Sequence, residues 1–165
     1  MFEEHVLLQN GVLHVAELMA IAAKTAPKAR GVDNIVIKVL SEREELETLA
    51  KTMEEMAPEY GSFFARDAKN VRDSVAVVLI GAKIVDLGLK APPEYKIDPN
   101  TALALINLGI ALGSAVKLAS MLNVDNRIMY SVGATAQKMK LLDADFVIGI
   151  PLSAKAKNIY FDRRT

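Results

Sequence analysis

The longest apolar run of the chain spans residues 101–122 and follows a group of helix-capping candidates, Asp98-Pro99-Asn100-Thr101. A run of this length exceeds a strand, and its many Ala and Leu residues favour a helix. Large apolar side chains occur all round this helix, which predicts that most of its surface is buried. Four polar residues interrupt the run: Asn107, Ser114, Lys117 and Ser120.

Two glycines, Gly109 and Gly113, lie four residues apart on one face of this predicted helix. Each glycine costs about 1 kcal/mol relative to alanine in a helix interior. Two interpretations explain how that cost is offset: another helix packs closely against the glycines, or a flat ligand lies on their backbone. A membrane-spanning alternative is disfavoured because Lys117 lies well inside the run and no aromatic belt flanks it.

The rest of the chain alternates helix-type and strand-type patterns. Helices are predicted at Glu3–Thr25, from a Ser41–Glu44 capping box to about Met56, at Ser62–Asn70 and at Ser131–Leu142. Strands are predicted at Val32–Leu40, Ser74–Lys83 and Ala144–Ile150, the last one ending before Pro151. The irregular connection Ile84–Pro99 is typical of a lid, a binding loop or an interface arm, and residues 158–161 form a short extended tail.

Composition favours one folded domain, residues 1–165, with a substantial core, because 52% of the residues are apolar. The formal net charge is zero, so no general attraction to nucleic acid is expected. The beginning of the chain carries acids instead of a basic signal-peptide region, which predicts a cytoplasmic protein.

Cysteine is absent, which excludes disulfides, cysteine-ligated metals and a cysteine-ligated iron–sulfur cluster in this chain. The two histidines, His5 and His14, are nine residues apart and do not have a metal-ligand spacing. We therefore expect no metal site. Nucleophile-elbow, P-loop and dinucleotide-binding motifs are also absent from the sequence.

Two polar segments border the apolar elements. In the first, Lys28, Arg30 and Gly31 precede a strand and predict a grip for a phosphate or carboxylate, the alternative being a solvated turn. The second follows the apolar run and contains Asn126 and Arg127. The later polar residues Lys155, Lys157, Asp162 and Arg163 complete the set. Either the cations converge on an anionic ligand, or Arg127 forms a structural ion pair with Asp33 or Asp125.

Four segments resemble a prokaryotic family of ferredoxin-domain-containing proteins: APKARGVDN (26–34), LGIALGSAVK (108–117), VDNRIMYSVG (124–133) and IPLS…KNIYFDR (150–163). That family has a cysteine cluster in the loop before the central helix, whereas residues 87–95 here read LGLKAPPEY. Asn107 also replaces the usual Asp, and Lys155-Ala156 replaces Thr-Gly.

The order of elements is also similar to that of the flavin-dependent nitroreductases. This resemblance implies an α+β fold with a mixed central sheet packed by helices around a buried central helix. It further implies a homodimer, with an arm reaching toward the partner, and an FMN site. We expect that site to involve Lys28, Arg30, Asn34, Gly113, Asn126, Arg127 and Lys157.

Two functional hypotheses remain open at this point. The first is a flavin-binding, oxidoreductase-like protein. The second is a non-enzymatic redox-linked or assembly protein that has lost an iron–sulfur cluster and has a redox protein as its partner. Neither hypothesis involves nucleic acid or a membrane.

Overall fold

The structure, a computed structural model, describes residues 3–161 of the 165-residue chain. The helices are α1 (Glu4–Thr25), α2 (Arg43–Tyr60), α3 (Phe63–Arg72), α4 (Pro99–Met121) and α5 (Tyr130–Lys138). The strands are β1 (Ile35–Leu40), β2 (Ala76–Ala82), β3 (Asp125–Asn126) and β4 (Phe146–Ser153).

The four strands form one sheet in the order β1-β2-β4-β3. Every pairing in this described sheet is antiparallel, so the expectation of a mixed sheet is wrong in strand direction. The predicted α+β class is confirmed, because helices and an antiparallel sheet share the core.

Helices cover both faces of the sheet. One core cluster joins α1 and α4 to one face, and a second joins α2, α3 and α5 to the other. The seven residues of β2 are all buried because this strand is central and has helices on both sides. The predicted Ser74–Lys83 strand is therefore confirmed as the centre of the sheet.

The central helix α4 is confirmed, and Asp98 caps it by accepting a hydrogen bond from the Thr101 backbone N–H at 2.8 Å. Its buried side is rich in small residues, which lets α4 pack closely on α1 and the sheet. The expectation that most of the surface of α4 is buried is wrong, however. Three large side chains on its outer side remain well exposed: Leu105 (44%), Ile106 (53%) and Ile110 (41%).

Several element ends differ from the sequence prediction. Strand β1 begins at Ile35, three residues late, and α2 continues through Pro58 to Tyr60. Helix α5 ends at Lys138, four residues early, because Lys140 adopts the left-handed conformation at φ 55°.

The capping box of α2 is displaced by one residue. Glu42 is the N-cap and Glu45 occupies N3, with reciprocal hydrogen bonds between side chain and backbone. The predicted Ser41–Glu44 pair is therefore wrong in register. The Glu45 carboxylate also accepts a hydrogen bond from the Ser41 N–H at 3.3 Å, so one carboxylate serves two backbone donors.

Strand β4 continues through Pro151 to Ser153, where the sequence predicts an end. Pro151 is opposite Val77, whereas the short β3 pairs only with Leu152 and Ser153. At Pro151, therefore, β4 has no second neighbouring strand that needs a backbone N–H donor. A sheet tolerates an internal proline under this condition.

Helices α1 and α4 are each long and apolar enough to cross a bilayer by length and composition alone. Core helices of soluble proteins pass the same test, and both helices pack on the sheet here. The expectation that the protein does not enter a membrane stays a prediction.

Candidate functional site

The loop between α1 and β1 contains three of the predicted cofactor-binding residues. In this loop the Lys28 ammonium donates hydrogen bonds to the backbone carbonyl oxygens of Lys24 and Ala26, the latter at 2.9 Å. These carbonyls belong to the end of α1, where helical partners are missing. Lys28 is half-buried and caps α1, which leaves one of its three N–H donors for a ligand.

Arg30 lies at the turn of the loop, in the left-handed conformation at φ 54°. Its guanidinium donates a hydrogen bond to the Leu87 carbonyl oxygen and so joins the loop to the long connection before α4. The side chain is exposed, and four of its five N–H donors remain available. Gly31 follows at φ 67°, and no other atom approaches the position of a Cβ there.

Asn34 is buried and forms an amide pair with Asn107 of α4. The Asn107 side-chain N–H donates to the Asn34 side-chain oxygen at 3.0 Å, and the Asn34 side-chain N–H donates to the Lys83 carbonyl at 2.7 Å. The Asn107 side-chain oxygen accepts a hydrogen bond from the Ala29 N–H at 2.9 Å. Asn34 therefore fixes the loop against α4 and β2 and does not face solvent.

Asn107 was missed as a member of this site, although it is the first polar residue to interrupt the apolar run. A buried amide requires partners, because an unpaired one costs on the order of 1–3 kcal/mol. The partners lie 73 and 78 residues away in sequence, so only the fold reveals them.

Asp33 forms an ion pair with Lys24, and this hydrogen bond lowers the pKa of the Asp33 carboxyl group. The Lys24 ammonium also donates to the Ile35 carbonyl at 2.9 Å, and Asp33 accepts from the Ile35 N–H at 3.3 Å. The Lys24–Asp33 pair therefore supplies hydrogen-bond partners to the backbone of Ile35, the first residue of the edge strand β1. The predicted alternative of an Asp33–Arg127 ion pair is wrong.

The second predicted group surrounds the end of α4 and the short strand β3. Asn126 donates to the Val124 carbonyl at 3.0 Å, and Arg127 donates to the Tyr160 carbonyl at 3.2 Å. The guanidinium of Arg127 also lies 5.2 Å from the ring centroid of Phe161. Arg127 therefore holds the chain end, and its predicted ion pair with Asp125 does not form.

The chain end folds back on its own subunit as far as Phe161. The Tyr160 hydroxyl lies 2.8 Å from the Ser74 hydroxyl, and burial raises the pKa of Tyr160. Asp125 accepts a hydrogen bond from Asn158 at 3.1 Å. The expected arm toward a partner is therefore not seen at residues 158–161.

The remaining cations of this group are Lys155 and Lys157, which are exposed. The other two residues of the polar set, Asp162 and Arg163, lie outside the described residues. Lys157 stays a candidate for ligand binding because its ammonium reaches solvent.

The Lys28–Asn34 loop and the Asn126–Arg127 corner lie at opposite ends of the sheet. Ile35, beside the Lys28–Asn34 loop, is opposite Ala82, whereas Asp125, beside Arg127, is opposite Ser153. The seven residues of β2 separate these ends by roughly 20 Å. Within one chain, Arg30 and Arg127 therefore cannot grip the same small anion, contrary to the expected convergence.

Gly109 and Gly113 lie on the exposed side of α4, and no atom of the described chain approaches the position of a Cβ at either residue. Neither of the two predicted interpretations is therefore realised by a single chain. The glycines instead lie on an exposed, apolar surface with Leu105, Ile106 and Ile110, which we call the α4 face. Ser114, the polar residue that follows Gly113, is half-buried.

Replacing Arg127 by alanine is expected to lower the free energy of unfolding by about 2 kcal/mol. The change removes one hydrogen bond from a charged donor and one contact with an aromatic ring. Trypsin should also cleave faster after Lys155 or Lys157, because the chain end loses its anchor. Chemical denaturation and limited proteolysis measure both effects.

Arg127→Lys is the matched control, since it keeps the charge but loses the planar contact, and it should have an intermediate effect. Unchanged stability together with weaker FMN binding would instead identify Arg127 as a ligand contact.

Sequence comparison agrees with the resemblance seen in the four segments. Residues 97–163 match a family model described as "uncharacterized protein containing a ferredoxin domain" (DUF2148). An uncharacterized protein of Archaeoglobus fulgidus is 46% identical over 171 aligned residues, which cover 93% of this chain and 92% of that protein. The likeness therefore extends over nearly the whole chain.

Comparison with solved structures confirms the nitroreductase-like fold. The hypothetical oxidoreductase YcnD of Bacillus subtilis superposes with a TM-score of 0.63 at 14% identity and covers 88% of this chain. An FMN-bound nitroreductase of Bacteroides fragilis gives 0.62 at 12% identity over 92% of this chain and 82% of its own. The NADPH:FMN oxidoreductase of Vibrio harveyi gives 0.61 at 13% identity, over 88% of this chain.

This chain spans 58% of the Bacillus subtilis protein and 60% of the Vibrio harveyi protein. At such low identities the likeness establishes the fold alone.

Proposed function

The chain belongs to the family of uncharacterized proteins containing a ferredoxin domain, and from this premise and its nitroreductase-like fold we propose a flavin-binding, oxidoreductase-like protein that works as a homodimer. The observation that carries the proposal is the position of the Arg30 loop beside the exposed α4 face. Asn107 bonds to this loop and lies within one turn of Ile110 on the same helix. A cationic group and an exposed apolar surface are therefore neighbours.

The donor set at this end fits a phosphorylated flavin. Arg30 keeps four unused N–H donors, and guanidinium groups match phosphate and carbonyl oxygens in bidentate geometry. Gly31 leaves the backbone open to close approach, and Lys28 keeps one donor. Asn34 would act indirectly, by holding the loop in place. When bound, FMN supplies hydride chemistry, while the chain supplies position and charge.

A second copy would complete this site. The α4 face combines exposed large apolar side chains with Gly109 and Gly113, and contiguous exposed apolar surface is typical of an interface. Two-fold symmetry would place the same face on both subunits. The glycines would then allow close approach of two helix backbones.

Such a dimer also gives a role to the residues at the far end of the sheet. Gly109 and Gly113 flank the midpoint of α4, so an antiparallel pair of α4 helices crossing there brings opposite helix ends together. The Asn126–Arg127 corner and Lys157 of one subunit would then lie nearer to Arg30 of the other. This arrangement lets one flavin contact both predicted groups, which a single chain does not allow.

Flavin binding is testable by titrating FMN into the purified protein and following quenching of its fluorescence. Arg30→Asn should weaken FMN binding by about tenfold or more, the loss of one charge-assisted contact. Asparagine tolerates the left-handed backbone at this position, so the fold should be kept.

The control is Lys51→Asn, on the exposed side of α2 in the opposite helix layer, and it should leave FMN binding unchanged. Absence of quenching by the wild-type protein at saturating concentrations contradicts the flavin proposal. Equal affinities for the wild type and Arg30→Asn contradict the assignment of the Arg30 loop.

The absence of cysteine supports a second candidate function, a non-enzymatic redox-linked or assembly protein that has lost an iron–sulfur cluster. In that case the same fold would present a docking surface to a redox protein. A stable complex with an iron–sulfur protein or a flavoprotein in a pull-down, without FMN bound to this chain, would favour the second candidate over the first.

A further inference from the structure

A groove runs along α5, the helix that packs on the opposite face of the sheet from α1 and α4. It has a volume of about 290 Å³ and a mostly apolar lining, a size near the lower end for small-molecule sites. Its lining residues are Tyr130, Ala134, Gln137, Lys138, Phe146 and Val147. None of these residues belongs to the flavin site proposed above.

Aromatic residues are concentrated around this groove. The chain has nine Phe and Tyr residues and no Trp, and five of the nine gather here. The ring of Phe64 is fully buried and contacts three other rings. The distances between ring centroids are 4.9 Å to Phe63, 6.0 Å to Tyr60 and 6.3 Å to Tyr130, and the Tyr130 contact is edge-on. These contacts fix the Tyr130 ring, which is 53% exposed and forms one wall of the groove.

The floor of the groove is small and held in place. Tyr130, Ala134 and Lys138 follow one another at four-residue spacing along one side of α5, over about 12 Å. The Gln137 side chain donates to the Asp145 carbonyl at 2.7 Å and accepts from the Val147 N–H at 3.2 Å. These bonds tie α5 to the start of β4, so the groove is formed before any ligand binds.

Phe146, the first residue of β4, also contributes to the lining and is 38% exposed. Its side chain points toward the α1 and α4 face, because side chains alternate along β4 and Ile148 and Ile150 belong to that core cluster. The exposed Tyr130 ring and the small Ala134 side chain therefore form the surface on which a flat group can lie. Flat aromatic groups bind an exposed ring by stacked or edge-to-face contacts.

Lys138 provides a positive charge at the end of the groove. It is exposed and has no hydrogen bond or ion pair within residues 3–161. The nearby acids are engaged elsewhere, since Asp143 pairs with Lys83 at 2.5 Å and Asp145 accepts from the Ile84 N–H at 2.7 Å. The C-terminal end of a helix disfavours an anion, so any anion here depends on Lys138.

We propose that this groove binds a small planar aromatic carboxylate. The ring lies on Ala134 beside the Tyr130 ring, and the carboxylate pairs with the Lys138 ammonium. A single ammonium group without a cradle of backbone N–H groups matches one carboxylate charge better than a phosphate dianion. Binding here does not depend on flavin, because none of the lining residues belongs to the proposed flavin site.

The test is a titration of the ¹⁵N-labelled protein with benzoate, followed by amide chemical shifts. Shifts should concentrate at Ala134, Gln137 and Val147, with a dissociation constant on the order of 1 mM for so small a ligand. Benzamide, which lacks the charge, and acetate, which lacks the ring, should each bind at least about fivefold more weakly.

Two substitutions locate the ligand. Ala134→Leu fills the floor and should weaken benzoate binding by about tenfold or more, whereas Ala65→Leu, on the exposed side of α3, should have no effect. Lys138→Gln should weaken benzoate binding by about fivefold and leave benzamide unchanged. The control Lys51→Gln should change neither.

Three results would overturn the proposal. The first is the absence of shifts in the groove residues at millimolar benzoate. The second is equal affinity for benzoate and benzamide, which removes the role of the charge. The third is unchanged benzoate affinity in an Ala134→Leu protein whose thermal unfolding shows that it is folded.

Discussion

Replacing Gly133 by alanine is expected to lower the free energy of unfolding by about 3 kcal/mol or more, because the added methyl group meets strand backbone. Gly133 in α5 packs directly on the backbone of β4. An added Cβ would overlap the Val147 carbonyl oxygen and lie 2.5 Å from the Ile148 Cα. Both obstacles are backbone atoms in a buried strand, so neither moves aside without breaking the sheet.

The glycine opposite it requires the same close approach. At Gly149 of β4, an added Cβ would overlap the Val132 side chain of α5. Here the obstacle is a side chain, so Gly149→Ala should cost less than Gly133→Ala. Chemical denaturation of both variants tests whether Gly133→Ala destabilises the protein more than Gly149→Ala. Both residues lie where α5 packs on β4, but the added methyl group meets backbone at Gly133 and a side chain at Gly149.

Gly11→Ala is the matched control. Gly11 lies inside α1, and no other atom approaches the position of its Cβ. Alanine should therefore stabilise the helix by up to about 1 kcal/mol. A Gly133→Ala protein as stable as the wild type would show that α5 can move away from β4, and the packing described here would be wrong.

The elements that the sequence predicted correctly are those with a local cause. The α4 run is longer than any strand, and its Asp98 cap stands directly before it, so both helix and start follow from neighbouring residues. Pro151 led to a wrong strand end because tolerance of a proline depends on what lies beside it in the sheet. The shortness of β3, which removes the need for a donor, is a property of the fold.

The candidate site divides in the same way. The cationic character of the Lys28–Arg30 loop is visible in the sequence, and Arg30 does keep an exposed guanidinium. Asn34 was predicted to contact a cofactor, but its side chain pairs with that of Asn107 instead. That pairing joins residues 73 positions apart. Arg127 contacts a chain end 33 residues later. Contacts at these separations have no signature in a single sequence.

The separation of the two cationic groups follows from strand order, which local patterns do not encode. Strand order places β1 and β3 on opposite edges, and the pairing register places β3 beside Leu152 and Ser153, at the end of the sheet remote from the Lys28–Asn34 loop. Convergence within one chain is excluded by that topology. Convergence across a two-fold axis is allowed, which makes the oligomeric state the decisive property for the proposed flavin site.

Replacing Ile110 by glutamate is expected to convert the proposed homodimer, with twice the 17.9 kDa chain mass, into a monomer. Ile110 is 41% exposed in the single chain, so the substitution spares the core and the monomer should stay folded. In a two-fold interface the change places two unpaired carboxylates in an apolar contact. We expect the dissociation constant to rise by at least about 100-fold, which size-exclusion chromatography with light scattering measures.

Two further variants separate the α4 face from apolar surface in general. Ile84→Glu removes an isoleucine outside α4 that is 48% exposed and should leave the dimer intact. Gly109→Ala should weaken the dimer while stabilising the monomer helix by up to about 1 kcal/mol, because the methyl group meets open space within the chain but a second backbone across the interface. Opposite signs for these two effects are the signature of helix–helix contact at Gly109. A monomeric wild type, or Gly109→Ala with a tighter dimer, would contradict the close approach of two α4 helices and with it a flavin site shared between subunits.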